Sequence, residues 1–207
     1  MSLPRVRNAV LVLTAVSLAS PIVALRAADQ PQWGEANTRN MISAETGLPS
    51  DFAPGERDPA TGDIDLATAK NVKWVARLGQ TTYGTPVVAG GRVFVGTNNG
   101  SPRDPQIEGD RGVLMCFDER TGQFLWQLNL PKLEWIKWAD WAQIGITSSP
   151  TVEGDRAYLV TNRGEVVCLD VDGQADGNDG PFLDEGRLMA GEGQPPRQVG
   201  AQDADIL

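Results

Sequence analysis

"TPVVAGGRVFVGTNNG" (residues 85–100) returns 64 positions later as "SPTVEGDRAYLVTNRG" (residues 149–164). In register, Pro86/Pro150, Val88/Val152, Gly90/Gly154, Arg92/Arg156, Thr97/Thr161, Asn98/Asn162 and Gly100/Gly164 are identical. Seven identities in sixteen positions mark an internal repeat, and a repeat at this period is the first thing to settle about a fold. Each copy reads as two short β-branched and aromatic runs joined by a glycine turn, Gly90-Gly91 in the first and Gly154-Asp155 in the second. That is hairpin chemistry.

A third strand follows in both copies, "VLMCFD" (113–118) and "EVVCLD" (165–170). The offset between copies falls from 64 to 52 because the first carries an extra loop, "SPRDPQIEGDRG", rich in Pro, Asp and Gly. A fourth strand, "TGQFLWQLNL" (121–130), closes the first copy. Four short antiparallel strands repeated at this interval predict the blades of a β-propeller, whose sheets bury their faces only by stacking on one another. The predicted fold class is therefore all-β, a propeller of four-stranded antiparallel blades that is incomplete in this chain.

"CFDERTGQFLW" (116–126) resembles the signature of the pyrroloquinoline-quinone (PQQ) type propeller repeat, in which a small residue precedes Asp, then Thr-Gly, then Trp. Asp118, Thr121, Gly122 and Trp126 fit it, with Cys116 in the place of the usual alanine, and Asp170 repeats Asp118. "NVKWVARLG" (71–79), with Trp74, resembles the outer strand that precedes the first full blade, and residues 32–49 resemble the lead-in of exported members. The resemblance implies that Trp74 and Trp126 join neighbouring blades and that Thr121-Gly122 turns the chain into the last strand. The domains expected are a leader over 1–27, a lead-in over 28–70, and blades over 71–207, the first about 83–130 and the second 148–207. The second copy lacks Thr-Gly-x-x-x-Trp and runs instead through a Gly, Pro and Asp-rich stretch to "DADIL", which reads as the beginning of another strand. Family members need six to eight blades, so the chain reads as part of a longer propeller, with unpaired edges and an open blade face.

Arg5 and Arg7, a short apolar run and a small-residue exit describe a secretory signal peptide, with cleavage after Ala27 and Ala24 as the competing position. The other reading of residues 9–25 is an uncleaved anchor, short for a span of about 20 residues and interrupted by Pro21. Export predicts the periplasm or cell envelope, with no membrane span beyond the leader. The net charge of −9 becomes about −12 once Arg5, Arg7 and Arg26 leave with the signal. A nucleic-acid partner, which requires a basic footprint, is excluded on that ground. There is no histidine, so no histidine base, catalytic triad or histidine-bound zinc can be assembled. Cys116 and Cys168 occupy equivalent places in the two copies, which favours two small core residues over a disulfide.

Two stretches suggest binding. "DGQADGNDG" (172–180) offers Asp172, Asp176, Asn178 and Asp179 as oxygen ligands for calcium. Counted from Asp172 as an EF-hand it has Gly177 at position 6, but Gln174 at position 3 and Leu183 at position 12; a solvated Asp/Gly turn is the alternative. "LEWIKWADW" spaces Trp135, Trp138 and Trp141 three apart, one stripe on a helical turn. The stripe is either an aromatic platform for a glycan or peptide, or an apolar plug between blades. The family's cofactor enzymes use adjacent cysteines, which are absent here, and PQQ finds no support in these residues; calcium is the one cofactor the sequence suggests. Other members, among them the propeller lipoprotein of the outer-membrane barrel assembly machinery, carry the repeat without the cofactor. This chain has no cysteine in the place of a lipoprotein's lipobox. The expected function is a non-enzymatic binding or scaffolding module with a protein or glycan partner, further blades coming from other sequence or self-association. The alternative is the N-terminal part of a PQQ- and calcium-dependent dehydrogenase. No catalytic residue is assigned.

Overall fold

A computed structural model of the chain describes residues 28–34, 37–43, 45–133 and 140–207. The leader and the aromatic residues Trp135 and Trp138 lie outside the described residues. No helix among the described residues is long and apolar enough to cross a membrane.

The structure is nearly all antiparallel β. Strands β1 (Glu56–Arg57) and β2 (Ile64–Asp65) form a small hairpin inside the lead-in. The first blade is a four-stranded meander of β3 (Val87–Ala89), β4 (Arg92–Asn98), β5 (Arg111–Asp118) and β6 (Phe124–Pro131). The second blade repeats three of these strands: β7 (Thr151–Glu153), β8 (Arg156–Val160) and β9 (Val166–Asp170). A short helix, α1 (Glu185–Ala190), lies in the Gly, Pro and Asp-rich stretch.

The echoed sequence makes equivalent hairpins. Ala89 pairs with Arg92 in the first, Glu153 with Arg156 in the second. Gly90 and Gly91 both have positive φ, 59° and 79°, as a two-residue turn matched to right-twisted strands demands. The fourth strand, read from residue 121, begins at Phe124; Thr121 and Gly122 form the turn into it, closed by the amide of Gly122 on the carbonyl of Asp118 at 2.8 Å.

Alternation along β5 sends its side chains to two different cores. Leu114 and Cys116 join Phe94, Trp126, Leu128 and the second blade's Ala157, Leu159, Val167 and Leu169 in the larger, interblade core. Val113, Met115 and Phe117 face the other way, against Ala76 and Leu78 of the segment 71–79. That segment thus covers the far face of the first blade. Residues 71–79, read from sequence as an outer strand, form no strand and join no ladder among the described residues.

The fourth position of the second blade is filled from far along the chain. Ile206 bridges Leu169 antiparallel, the amide of Asp170 donates to Asp205 O at 3.0 Å, and that of Leu207 to Cys168 O at 2.9 Å. This register matches the first blade, where Asp118 donates to Gln123 O at 2.8 Å and Phe117 pairs with Phe124. On its other side the same segment bridges β6 through Gln127 and Asp203.

Candidate functional site

The signature tryptophans have a common geometry. Trp126 is buried, and its indole Nε1 donates to Val171 O at 2.9 Å, one residue beyond Asp170. Trp74 donates to Glu119 O at 2.8 Å, one residue beyond Asp118. Each indole lies on a left-handed glycine. A Cβ on Gly122 (φ 73°) would come within 2.5 Å of the Trp74 ring, and one on Gly173 (φ 59°) within 2.7 Å of the Trp126 ring. Gly173 therefore takes the place in the second blade that Gly122 takes in the first, although its surrounding sequence has no Thr-Gly. The first-blade Asp118 accepts the amide and hydroxyl of Thr121 at 2.7 and 2.6 Å, which hold its carboxyl below the usual range. Among the described residues Asp170 accepts only the amide of Asp172, at 2.6 Å.

Of the calcium candidates, the fold gathers Asp172 and Asp176 around Asp170, with one ligand oxygen of each within 4.8 Å of the others. Asp172 also pairs with Arg92 of the first blade. Asn178 donates its amide to Glu185 Oε2 at 2.7 Å, and the backbone amide of Asp179 reaches Asp205 Oδ2 at 3.4 Å. Burial, followed by the carboxylates of Asp176, Asp172 and Asp179, pushes Asp170 up, against the amide of Asp172. Burial likewise pushes Asp205 up, with Glu185, Asp179 and Asp170 adding to it. Carboxyls raised in the folded chain work against folding as pH rises from about 3.8 through their raised values.

Of the tryptophan stripe only Trp141 is described, and it is 62% exposed. Its loop is fixed at the base by a feature the sequence reading did not single out. Lys132 Nζ donates to Asp140 Oδ1 at 2.5 Å, to Trp141 O at 2.8 Å and to Ile144 O. Asp140, nearly buried, also accepts Leu133 N at 3.0 Å and Asn162 Nδ2 at 2.9 Å. The recurrence of Asn98 and Asn162 was the available signal, because both sit where a strand ends under this loop. Asn98 donates to Gln143 O. Close backbone approach completes the clamp, since a Cβ on Gly145 would lie 1.9 Å from Thr97 O.

Two hollows flank the loop. One, of about 830 Å³, is lined by Arg111, Lys132, Arg163, Phe182, Asp184 and Arg187 among others. The second, of about 510 Å³, runs under Trp141 past Thr161 and Asn162. Leu133 and Arg163 border both. The face is of mixed charge, with Asp110, Asp184 and Glu192 beside Arg111, Arg163 and Arg187. Cys116 and Cys168 are free, and burial pushes the Cys116 thiol up, away from the reactive thiolate.

Residues 110–175 match a PQQ-repeat family model described as outer membrane protein assembly factor BamB. The matched span runs from the start of β5 through β9 to the turn that carries Gly173. No curated protein matches the chain.

Proposed function

We propose that the chain is an exported, non-enzymatic binding or scaffolding module of the periplasm or cell envelope, which holds a protein or glycan partner on its Trp141 face. The observation that carries this reading is an exposed indole on a loop clamped by a buried ion pair and bordered by two hollows. An aromatic anchor that is already rigid loses little conformational freedom on binding, which is why such residues dominate interface energetics. The leader-like N-terminus and a matched family described by an outer-membrane assembly factor support the envelope setting.

The test is retention of the purified chain on isolated peptidoglycan and on immobilised envelope proteins, compared with Trp141→Ala. A hot-spot tryptophan is worth at least about 2 kcal/mol, so the variant should bind roughly 30-fold more weakly with an unchanged melting temperature. Loss on the glycan or the protein support alone identifies the class of partner. Equal retention of both chains, or of neither, would remove the Trp141 face from consideration.

A further inference from the structure

β3 and β7 are the first strands of their blades, and within its sheet each is paired on one side only. The residues flanking each two-residue turn bond across the hairpin, so the next ones, Val88 and Val152, turn their amides out of it. An open edge of this kind is a template for any passing strand. Residues 28–31 cover it. Gln30 exchanges two hydrogen bonds with Val88, at 2.7 and 3.1 Å, and the amide of Val152 donates to Pro31 O at 2.7 Å. Asp29 Oδ2 accepts the amide of Gly90, in the first hairpin turn, at 2.9 Å. Three consecutive residues thus hold a turn, β3 and β7, and the two strand amides they satisfy are equivalent positions of the repeat.

The strap starts on a carboxylate. Ala28 N donates to Glu45 Oε1. Glu45 is half-buried, and among the described residues no lysine or arginine pairs with it; Lys73, which borders the same hollow, does not reach it. The Ala27–Ala28 bond is also where the sequence places the end of the leader. While that bond is intact, Ala28 N is a neutral amide. Its hydrolysis takes up one water, leaves a carboxylate on Ala27 and frees an amine on Ala28. An α-amine, with a pKa of about 7.7–8.0, is mostly an ammonium at neutral pH. The contact with Glu45 then becomes a charge-assisted one, roughly twice as strong as its neutral counterpart.

We propose that removal of the leader after Ala27 anchors this strap: the freed α-ammonium of Ala28 takes Glu45 as its partner and fixes residues 29–31 across both blades. The inference rests on the export reading and adds to it a structural consequence of processing. The position of the cut decides the outcome. Cleavage after Ala24 would leave Leu25, Arg26 and Ala27 ahead of the strap, and Ala28 N would stay a neutral amide. The pair is partly exposed, so its own contribution is modest. It acts by holding in place a strap whose other bonds reach both blades. Pro31 ends the strap, since it offers a carbonyl to β7 but has no N–H for a further strand.

The test expresses the chain with its leader in an exporting host. It reads the first residue of the recovered protein by mass, and hydrogen exchange at the amides of Val88 and Val152. Ala28 is the expected first residue. Acetylating the α-amine keeps the N–H donor but removes the charge, and should speed exchange at both amides roughly threefold. Glu45→Gln, which keeps an oxygen acceptor, should give the same acceleration, and acetylating that variant should add nothing. Gln30→Pro, which removes the donor to Val88 O, should speed both amides by about fivefold or more. A change at Val88 alone would overturn the strap as a link between the blades. A first residue of Leu25, or exchange that neither acetylation nor Glu45→Gln alters, would overturn the ion pair while leaving export in place. A chain that never leaves the cytoplasm would overturn the export reading, and the inference with it.

Discussion

Trp126→Ala is expected to lower the stability of the chain by about 3–5 kcal/mol, the usual cost of emptying a large aromatic site in a core. The indole is 1% exposed, meets Phe94 edge-on with ring centroids 6.0 Å apart, and bonds the second blade through Val171 O. It therefore belongs to both blades at once, and its loss opens a cavity at their junction. Trp126→Phe keeps most of the area but loses the Nε1 bond, leaving Val171 O unpaired, and should cost about 1–2 kcal/mol. Gly173→Ala approaches the same contact from the other side. It places a Cβ 2.7 Å from the ring and 2.8 Å from Asp203 O at a φ of 59°, so the blades must separate or the turn must rearrange. Urea denaturation of the four chains gives the ranking. A cost for Trp126→Ala below about 1 kcal/mol would mean that the blades do not fold as one unit.

The contrast between Gly122 and Gly173 shows how far the sequence could be read. Hairpin turns and strand alternation are local, so residues 85–100 and 149–164 announced both hairpins, and the third strands followed at once. The Trp126 contact is not local in the second blade. There the turn glycine is three residues after Asp170, where Gly122 is four after Asp118, and no threonine accompanies it. A motif pattern cannot register such a substitution, whereas the packing of an indole on a backbone without a Cβ can. The strand-like start of "DADIL" was legible, but its place beside β9 was not, for a related reason. Its residues 203–207 follow a long excursion through α1, and only ladder register shows that Asp205 stands where Gln123 stands in the first blade. The acidic loop was legible as composition, but that Asp170 stands beside Asp172 and Asp176 needed the fold. The outer strand that the resemblance implied over residues 71–79 joins no sheet among the described residues, because a resemblance in sequence does not supply the partner backbone that a strand needs.

Asp140→Ala should cost about 3–5 kcal/mol, comparable to the loss of Trp126, although it removes only a small side chain. The side chain of Asp140 is 2% exposed and that of Lys132 14%, so the substitution strands an ammonium in a site with little access to water. Two further donors lose their acceptor, Leu133 N and Asn162 Nδ2. Replacing the pair with apolar residues, Lys132→Met with Asp140→Leu, removes the stranded charge and should recover part of the loss. Recovery stays incomplete because the amide of Leu133 remains unsatisfied and Asn162 Nδ2 keeps only its 3.4 Å bond to Pro131 O. The comparison separates folding from function, since both clamps can hold the chain together but only the ionic one fixes Trp141 through its carbonyl. The double variant should therefore regain stability while still binding the Trp141-face partner more weakly than the parent chain. A double variant as tightly retained as the parent would show that the loop needs only an apolar floor, and that the Lys132–Asp140 pair contributes to the fold alone.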